Sequence, residues 1–294
     1  MPGIAVIGAA GQLGSDLLPL LGRRAIPLTR ADVDLTDAPR LHACLDAAAP
    51  EQVVNCAAYN FVDRAEAEPE RAFAVNALGV RNVAQWCGRH DVPLLHLSTD
   101  YVFGLDGPDR GPLTESDPPG PISVYGGSKL AGEWFVRGLC PRHWVVRTCG
   151  LYGRHATRGK GNFVETMLRL GRERSELRIV NDQRCTPTFT ADLAAALVAL
   201  LDTRDYGVFH ATNAGECSWY EFALEIFRLS GLTPRVVPIS SAEYGAAAQR
   251  PAYSVLCCRK LQAVTGCVLR PWQEALRDYL TLRQAQPESN TVGP

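Results

Sequence analysis

Ile4-Ala5-Val6-Ile7-Gly8-Ala9-Ala10-Gly11-Gln12-Leu13-Gly14 is the stretch from which the fold can be read. Its first four residues form a short apolar run suited to a strand buried on both faces of a parallel sheet. Residues 13–21 then read as a helix, so a glycine-rich turn joins strand to helix. Backbone N–H groups and the helix dipole at such a junction favour an anion such as a pyrophosphate. Gly8 permits the tight turn, Gly11 lets a phosphate approach, and Gly14 lets helix and strand pack closely. Outward from this turn, apolar runs alternate with helical stretches over the first 150 residues. Strands are expected at 4–7, 25–28, 52–55, 94–97 and 143–146, and helices at 13–21, 39–48, 69–89 and 124–139. Residues 179–180 and 207–211 read as later strands of the same sheet. The pattern predicts an α/β fold with a doubly wound, Rossmann-type parallel sheet.

Beyond residue 150 the strands thin out. Helices are expected at 162–173, 191–200, 220–229 and 271–285, with a short strand at 236–239. This divides the chain into a dinucleotide-binding unit (1–150), a mixed segment that supplies a smaller substrate lobe and returning sheet elements (151–285), and a flexible polar tail (286–294). Residues 104–121, rich in Pro and Gly, form a loop leading into the helix at 124.

That helix carries the chemistry. Tyr125 and Lys129 stand four apart in Val124-Tyr125-Gly126-Gly127-Ser128-Lys129, so they share one helix face. The chain has 30 Lys and Arg residues, of which only 3 are lysines, and one of these is Lys129. Arginine cannot be tuned as a titrating group, whereas lysine can. A phenol beside an ammonium is expected to be a proton donor with a depressed pKa.

Composition sets limits. A formal net charge of −1 argues against broad nucleic-acid or membrane-surface binding. No run approaches the length of a membrane-spanning helix, and a strand starting at residue 4 leaves no room for a signal peptide, so a cytoplasmic location is expected. The 10 cysteines and 6 histidines are scattered without C-x-x-C or H-x-x-x-H spacing. They read as buried small hydrophobes rather than metal ligands, and no metal is expected.

Several strings now join the glycine turn and the Tyr–Lys helix: Val53-Val54-Asn55-Cys56-Ala57-Ala58-Tyr59, Val62-Asp63-Arg64-Ala65-Glu66, Phe73-Ala74-Val75-Asn76-Ala77, Leu97-Ser98-Thr99-Asp100-Tyr101-Val102-Phe103, Gly161-Asn162-Phe163-Val164 and Asp182-Gln183-Arg184-Cys185-Thr186-Pro187-Thr188. Together they resemble the dTDP-4-dehydrorhamnose reductase family of the extended short-chain dehydrogenase/reductases, over most of the chain to about residue 260. The resemblance implies reduction of the C4 ketone of a dTDP-linked 6-deoxy-4-keto sugar by NAD(P)H, giving dTDP-L-rhamnose for cell-wall polysaccharide. It implies Tyr125 as proton donor, Lys129 as its electrostatic partner and ribose ligand, and Thr99 as hydrogen-bond partner of the carbonyl. Cofactor positions implied are the backbone of Ala10, Gln12 and Leu13, then Asp34 and Leu35 near the adenine. Cys56, Ala57 and Ala58 fall on the nicotinamide side, and Asn76 braces the active-site helix. Thr99, Tyr101, Phe103 and Gly150 fall on the substrate side.

Arg30 follows the second strand, where an acidic residue would select a free 2′-hydroxyl; a guanidinium there suits a 2′-phosphate. NADPH is therefore expected to be favoured, or both cofactors accepted. Two positions depart from the family pattern. Gly150, in Arg147-Thr148-Cys149-Gly150, replaces a tryptophan that the resemblance implies packs on the sugar, which removes a stacking surface and opens room at C5 or C6. Cys257 replaces an aspartate. Asp16 lies where some relatives place a carboxylate linked to metal-assisted dimerisation. The expected partners are a nucleotide sugar and, for assembly, a second copy in a homodimer. Another reductase or epimerase of nucleotide sugars would share Tyr125, Lys129 and Thr99, and a non-catalytic subunit would share the fold.

Overall fold

The computed structural model describes residues 3–105, 111–155 and 161–285. The expected tail at 286–294 and the centre of the 104–121 loop, residues 106–110, lie outside the described residues. Six strands build one parallel sheet: β1 (Ile4–Ile7), β2 (Ala25–Leu28), β3 (Gln52–Asn55), β4 (Leu94–Thr99), β5 (His143–Thr148) and β10 (Gly207–His210). Their order is β10-β5-β4-β3-β1-β2, so the chain reverses direction across the sheet between β1 and β3. In open α/β sheets ligands bind at such a reversal, outside the carboxyl ends of the strands.

The alternation of side chains along each strand feeds two cores. Ile4, Val6, Val54, Leu95, Trp144, Val146 and Phe209 point to one face. There they meet α1 (Gln12–Leu21), α8 (Thr190–Leu201) and α11 (Arg259–Thr265). Ala5, Ile7, Val53, Leu94 and Val145 point to the other, against α2 (Ala38–Ala48), α5 (Val80–Arg89) and α6 (Val124–Leu139). On α1, Leu13, Leu17 and Leu21 recur every four residues and are all buried. Each such leucine contributes about 1.5–3 kcal/mol on burial.

Residues 179–180 do not join this sheet. They end β7 (Glu176–Val180), which pairs in parallel with β12 (Arg235–Ile239) alone. The reason is visible in the sequence: Glu176 and Arg178 are exposed between buried Leu177 and Ile179. Such alternation suits a strand covered on one face, whereas a central parallel strand is covered on both. Two small pairs complete the strands, β6 (Leu151–Tyr152) with β9 (Thr188–Phe189) and β8 (Arg184–Cys185) with β11 (Cys217–Ser218). With α7 (Phe163–Glu173), α9 (Trp219–Ser230) and α12 (Trp272–Gln284), they surround a third, aromatic core, and α10 (Ser241–Tyr244) lies outside it. Tyr152, Phe189, Phe222, Trp272 and Tyr279 form it.

The expected helix at 69–89 is interrupted. α4 (Pro69–Phe73) passes into a wider π-helical turn at Ala74–Gly79 before α5 resumes the α-helix. A separate short helix, α3 (Val62–Ala67), precedes it. Such π-turns are frequent at functional positions because they re-aim a side chain; here the turn holds Asn76.

Candidate active site

β4 delivers Thr99 to the carboxyl edge of the sheet, opposite Thr148 on β5. A short turn, Asp100–Val102, follows, and the Thr99 hydroxyl caps it by accepting from the Tyr101 backbone N–H at 3.2 Å. Helix α6 starts at Ser123, whose hydroxyl accepts from the Gly126 N–H at 3.1 Å. Two glycines let α6 settle on its neighbours. A methyl at Gly126 would lie 2.2 Å from the Tyr101 carbonyl oxygen, and one at Gly132 would lie 2.2 Å from that of Asn76. This approach brings the Tyr125 hydroxyl beside Thr99. Tyr101 meets the Tyr125 ring edge-on, with centroids 5.9 Å apart.

Lys129 is buried one turn further along, its ammonium donating to the Leu97 carbonyl at 2.6 Å. Burial pulls its pKa down to about 8, opposed by the Glu133 carboxylate one turn below and by Cys56. The expected depression of the Tyr125 phenol is not found. Burial pushes it up to about 12, opposed by the Thr99 hydroxyl, and the nearby Asp100 carboxylate adds to the rise. Desolvation of the phenolate is the largest cause.

Beneath Lys129 lies a buried ion pair. Arg147 Nε and Nη2 donate to the two Glu133 oxygens at 3.0 and 2.8 Å, and Ser98 donates to Glu133 at 2.5 Å. Phe103, expected beside the substrate, is fully buried with Val102, Leu113, Leu130 and Leu256, and the Arg147 guanidinium lies 5.0 Å above its ring. It supports the ion pair from behind.

Asn76 is fully buried and binds three ways. Its side-chain oxygen accepts from the Tyr59 N–H at 2.8 Å, while its amide donates to the Tyr59 carbonyl at 2.9 Å and to Ser128 at 3.0 Å. The π-turn is thereby tied to both the β3 loop and α6.

The glycine turn has the shape of an anion cradle. Gly8 adopts φ +81°, and a methyl there would lie 2.9 Å from the Ala57 nitrogen, so the turn and the β3 loop touch through backbone. A methyl at Gly14 would lie 2.4 Å from the Gly8 oxygen. No side chain caps α1, whose first turn carries no acidic residue, and Ala10 is exposed. Leu13 packs into the core, so only its backbone can face a ligand. The Gln12 side chain instead accepts from Asn162 at 3.0 Å, linking α1 to the start of α7. Cys56 lies half-buried at the end of β3, its thiol pushed up to about 12 by burial, with Ala58 exposed beyond it. At the end of β2, Thr29 closes a loop by donating to Asp32, which leaves Arg30 exposed. Asp34 turns its carboxylate inward onto the Thr36 N–H and hydroxyl, which hold it below the usual carboxylate range with help from Arg30. Leu35 is buried. An uncapped helix start behind a glycine turn and an exposed guanidinium fit a phosphorylated dinucleotide.

Gly150 adopts φ +53°, and a methyl there would approach the Pro187 Cα at 3.3 Å and the Trp219 ring at 3.4 Å. The room expected at this position is therefore bounded by an indole from α9. Among the described residues no group of His, Cys, Asp or Glu is arranged to hold a metal, and no helix is long and apolar enough to cross a membrane. The Asp16 carboxylate accepts from Thr190 at 2.5 Å. Sequence reasoning missed the Glu133–Arg147 pair, Trp219 and the buried Asp100. Asp100 had one signal, a carboxylate directly following the apolar strand β4.

The model of the RmlD substrate binding domain family matches residues 2–284. A dTDP-4-dehydrorhamnose reductase from Streptomyces griseus is 43% identical over 283 residues, covering 93% of this chain and 91% of the relative. A dTDP-4-keto-6-deoxy-D-glucose reductase from Streptomyces niveus is 41% identical over 285 residues, covering 95% and 97%. The crystal structure of the dTDP-4-dehydrorhamnose reductase from Bacillus anthracis, in complex with NADP, superposes with a TM-score of 0.89. It is 39% identical and covers 96% of this chain and 100% of that one. A shared fold, near-complete coverage and identity around 40% agree with the strings quoted above, and the chain belongs to the dTDP-4-dehydrorhamnose reductase family.

Proposed function

We propose that this protein reduces the C4 ketone of dTDP-4-keto-6-deoxy-L-mannose with NADPH, forming dTDP-L-rhamnose for cell-wall polysaccharide. The observation that carries the reading is that Tyr125, on α6 against Tyr101, stands beside Thr99 at the carboxyl edge of the sheet, with buried Lys129 one turn away. A reduced nicotinamide dinucleotide, held by the glycine turn and the start of α1, supplies the hydride when bound. Tyr125 gives its proton to the oxygen that becomes an alkoxide. Its raised pKa suits this direction, because the proton stays on the phenol throughout the neutral range until a stronger base appears. Lys129, charged below about pH 8, stabilises the resulting phenolate and holds the ribose. Thr99 and Tyr101 border the carbonyl. Cys56, Ala57 and Ala58 flank the nicotinamide, and Asp34 and Leu35 lie by the adenine. Arg30 pairs the 2′-phosphate, so NADPH is used in preference to NADH; the NADP complex of the Bacillus anthracis relative agrees with this. The 151–285 segment supplies the sugar-binding lobe around Gly150 and Trp219. The protein works in the cytoplasm, in keeping with ten free thiols. It assembles as a homodimer, for which exposed Phe73, Leu78 and Trp134 on adjoining helices offer apolar surface.

The second reading differs in substrate: the unepimerised dTDP-4-keto-6-deoxy-D-glucose. Gly150 in place of the family tryptophan and the Streptomyces niveus relative of that name both favour it. NADPH oxidation is measured with the keto sugar made in situ, by a dehydratase alone or by dehydratase plus epimerase. Turnover only with the epimerase, yielding dTDP-L-rhamnose, is expected. Turnover with the dehydratase alone selects the second reading, and none in either arm rejects both.

A further inference from the structure

Three thiols, those of Cys257, Cys258 and Cys267, line a single cavity of about 330 Å³ that Thr99, Tyr125 and Lys129 do not border. Val255, Leu256 and Leu269 give it apolar walls, and exposed Arg259 and Gln262 give it polar groups. A space of this size takes a small organic molecule. Its charges are unequal. Glu216, the one carboxylate among the lining residues, is held by Arg184 at 2.8 Å and by the Tyr253 hydroxyl at 3.1 Å. Arg259 forms no salt bridge among the described residues, and its Nε donates to the Cys257 sulfur at 3.3 Å. The cavity therefore offers a cation to an acidic molecule, beside a nucleophile.

We propose that Cys257 is a thiol–disulfide exchange site and that the cavity beside it seats a low-molecular-weight disulfide bearing a carboxylate. The site stands apart from the reductase reading and does not depend on it. The Cys257 sulfur gives an electron pair to one sulfur of the incoming disulfide, and the S–S bond of that molecule breaks. Its other half leaves as a thiolate and takes up the proton that Cys257 has lost. One disulfide is exchanged for another, so no further oxidant is needed. The carboxylate of the half that stays pairs with Arg259.

The surroundings single out Cys257 among the three. Burial pushes the Cys258 and Cys267 thiols up, and the Cys258 sulfur already accepts from the Thr212 N–H at 3.3 Å. Cys257 is half-buried and receives a hydrogen bond from a guanidinium, the setting in which a thiolate is both stabilised and reachable. Its backbone is fixed: the Cys257 N–H donates to the Leu113 carbonyl at 2.7 Å, and the Leu113 N–H donates to the Val255 carbonyl at 2.8 Å. Cys258 is badly placed to displace the adduct. Neighbouring Cα atoms lie about 3.8 Å apart, short of the roughly 4.4 Å that an unstrained disulfide needs. The mixed disulfide persists until an outside thiol reverses it.

The test exposes the reduced, folded protein to glutathione disulfide, which is acidic, and separately to cystamine, which is cationic. Mass spectrometry of the intact chain and of its peptides, after alkylation of the remaining thiols, locates and times each adduct. Glutathione disulfide is expected to add a single glutathione, at Cys257. Cys257→Ser should take up none, whereas Cys258→Ser and Cys267→Ser should still be modified. Arg259→Gln should slow the reaction with glutathione disulfide about fivefold more than that with cystamine, the worth of one exposed ion pair. Modification first at any other cysteine overturns the proposal, as does an internal disulfide from Cys257 to Cys267 in place of the adduct. A folded protein left unmodified under conditions that modify the urea-unfolded chain also overturns it. Should Arg259→Gln slow both reagents equally, the guanidinium does not select an acidic ligand, and the seat is rejected.

Discussion

Tyr125, Lys129 and Gly150 each make a prediction of their own. Tyr125→Phe keeps the ring against Tyr101 and removes the proton; turnover should drop about 100-fold or more while NADPH binding, read by fluorescence titration, stays within twofold. Undiminished turnover would remove Tyr125 from the reaction. Lys129 carries its charge below about pH 8 and loses it above, so kcat/KM should decline past that pH. Lys129→Met should abolish this alkaline limb, lower activity below it and weaken NADPH binding; a limb that persists assigns it to another group. At Gly150 the positive φ and the nearby Pro187 and Trp219 leave no place for a larger side chain. Gly150→Ala should cost about 1 kcal/mol or more in urea unfolding, and no loss of stability would mean that the turn relaxes freely. Tyr125 and Lys129 could be singled out by residue type and spacing, because hydride chemistry needs an acid and a tunable cation on one helix face, whereas Thr99 came only through the family resemblance. The direction of the Tyr125 shift was not legible, since it depends on how much solvent the fold removes.

At the scale of elements, strand positions were legible because continuous apolar runs have few other uses. β1, β2 and β3 lie where the runs ended, and β4 and β5 extend two residues further, through polar Ser98-Thr99 and Arg147-Thr148. Polar residues are normally read as strand ends; here they continue because Ser98 and Arg147 meet at Glu133. The π-turn was not legible, as its residues have ordinary helix propensity and the widening follows from packing against α6. That packing is testable. In Gly132→Ala the added methyl would overlap the Asn76 carbonyl, forcing α6 away from the turn that orders it. The variant should lose about 1–3 kcal/mol of stability and a larger share of activity than its folded fraction explains, because α6 also positions Tyr125. Unchanged urea midpoint and activity would show that α6 has slack.

The whole molecule buries two neutral histidines. His96 and His210 are fully enclosed, and burial lowers both, His210 to about 3. Unfolded, each takes up a proton below about pH 6.5, so their stabilising effect is complete above that pH and is lost as pH falls toward the folded value. Asp100 acts oppositely, gaining stability on acidification between about 6 and the ordinary aspartate range. Replacing His210 by Asn should flatten the decline of unfolding free energy between pH 6 and 5 by about 1.4 kcal/mol per pH unit, measured by urea titration at each pH. An unaltered slope would show that His210 does not set acid sensitivity. The apolar face of α1 has another consequence, one of timing. Leu13, Leu17 and Leu21 share a core with Leu193, Leu197 and Leu200 of α8, so helices far apart in sequence cover one another. On the ribosome, about 180 residues separate the emergence of these two faces, roughly 10–35 s at ordinary rates of synthesis. For that interval the nascent sheet has one uncovered side, and chains stalled or truncated before α8 would be clients for chaperones rather than for the nucleotide.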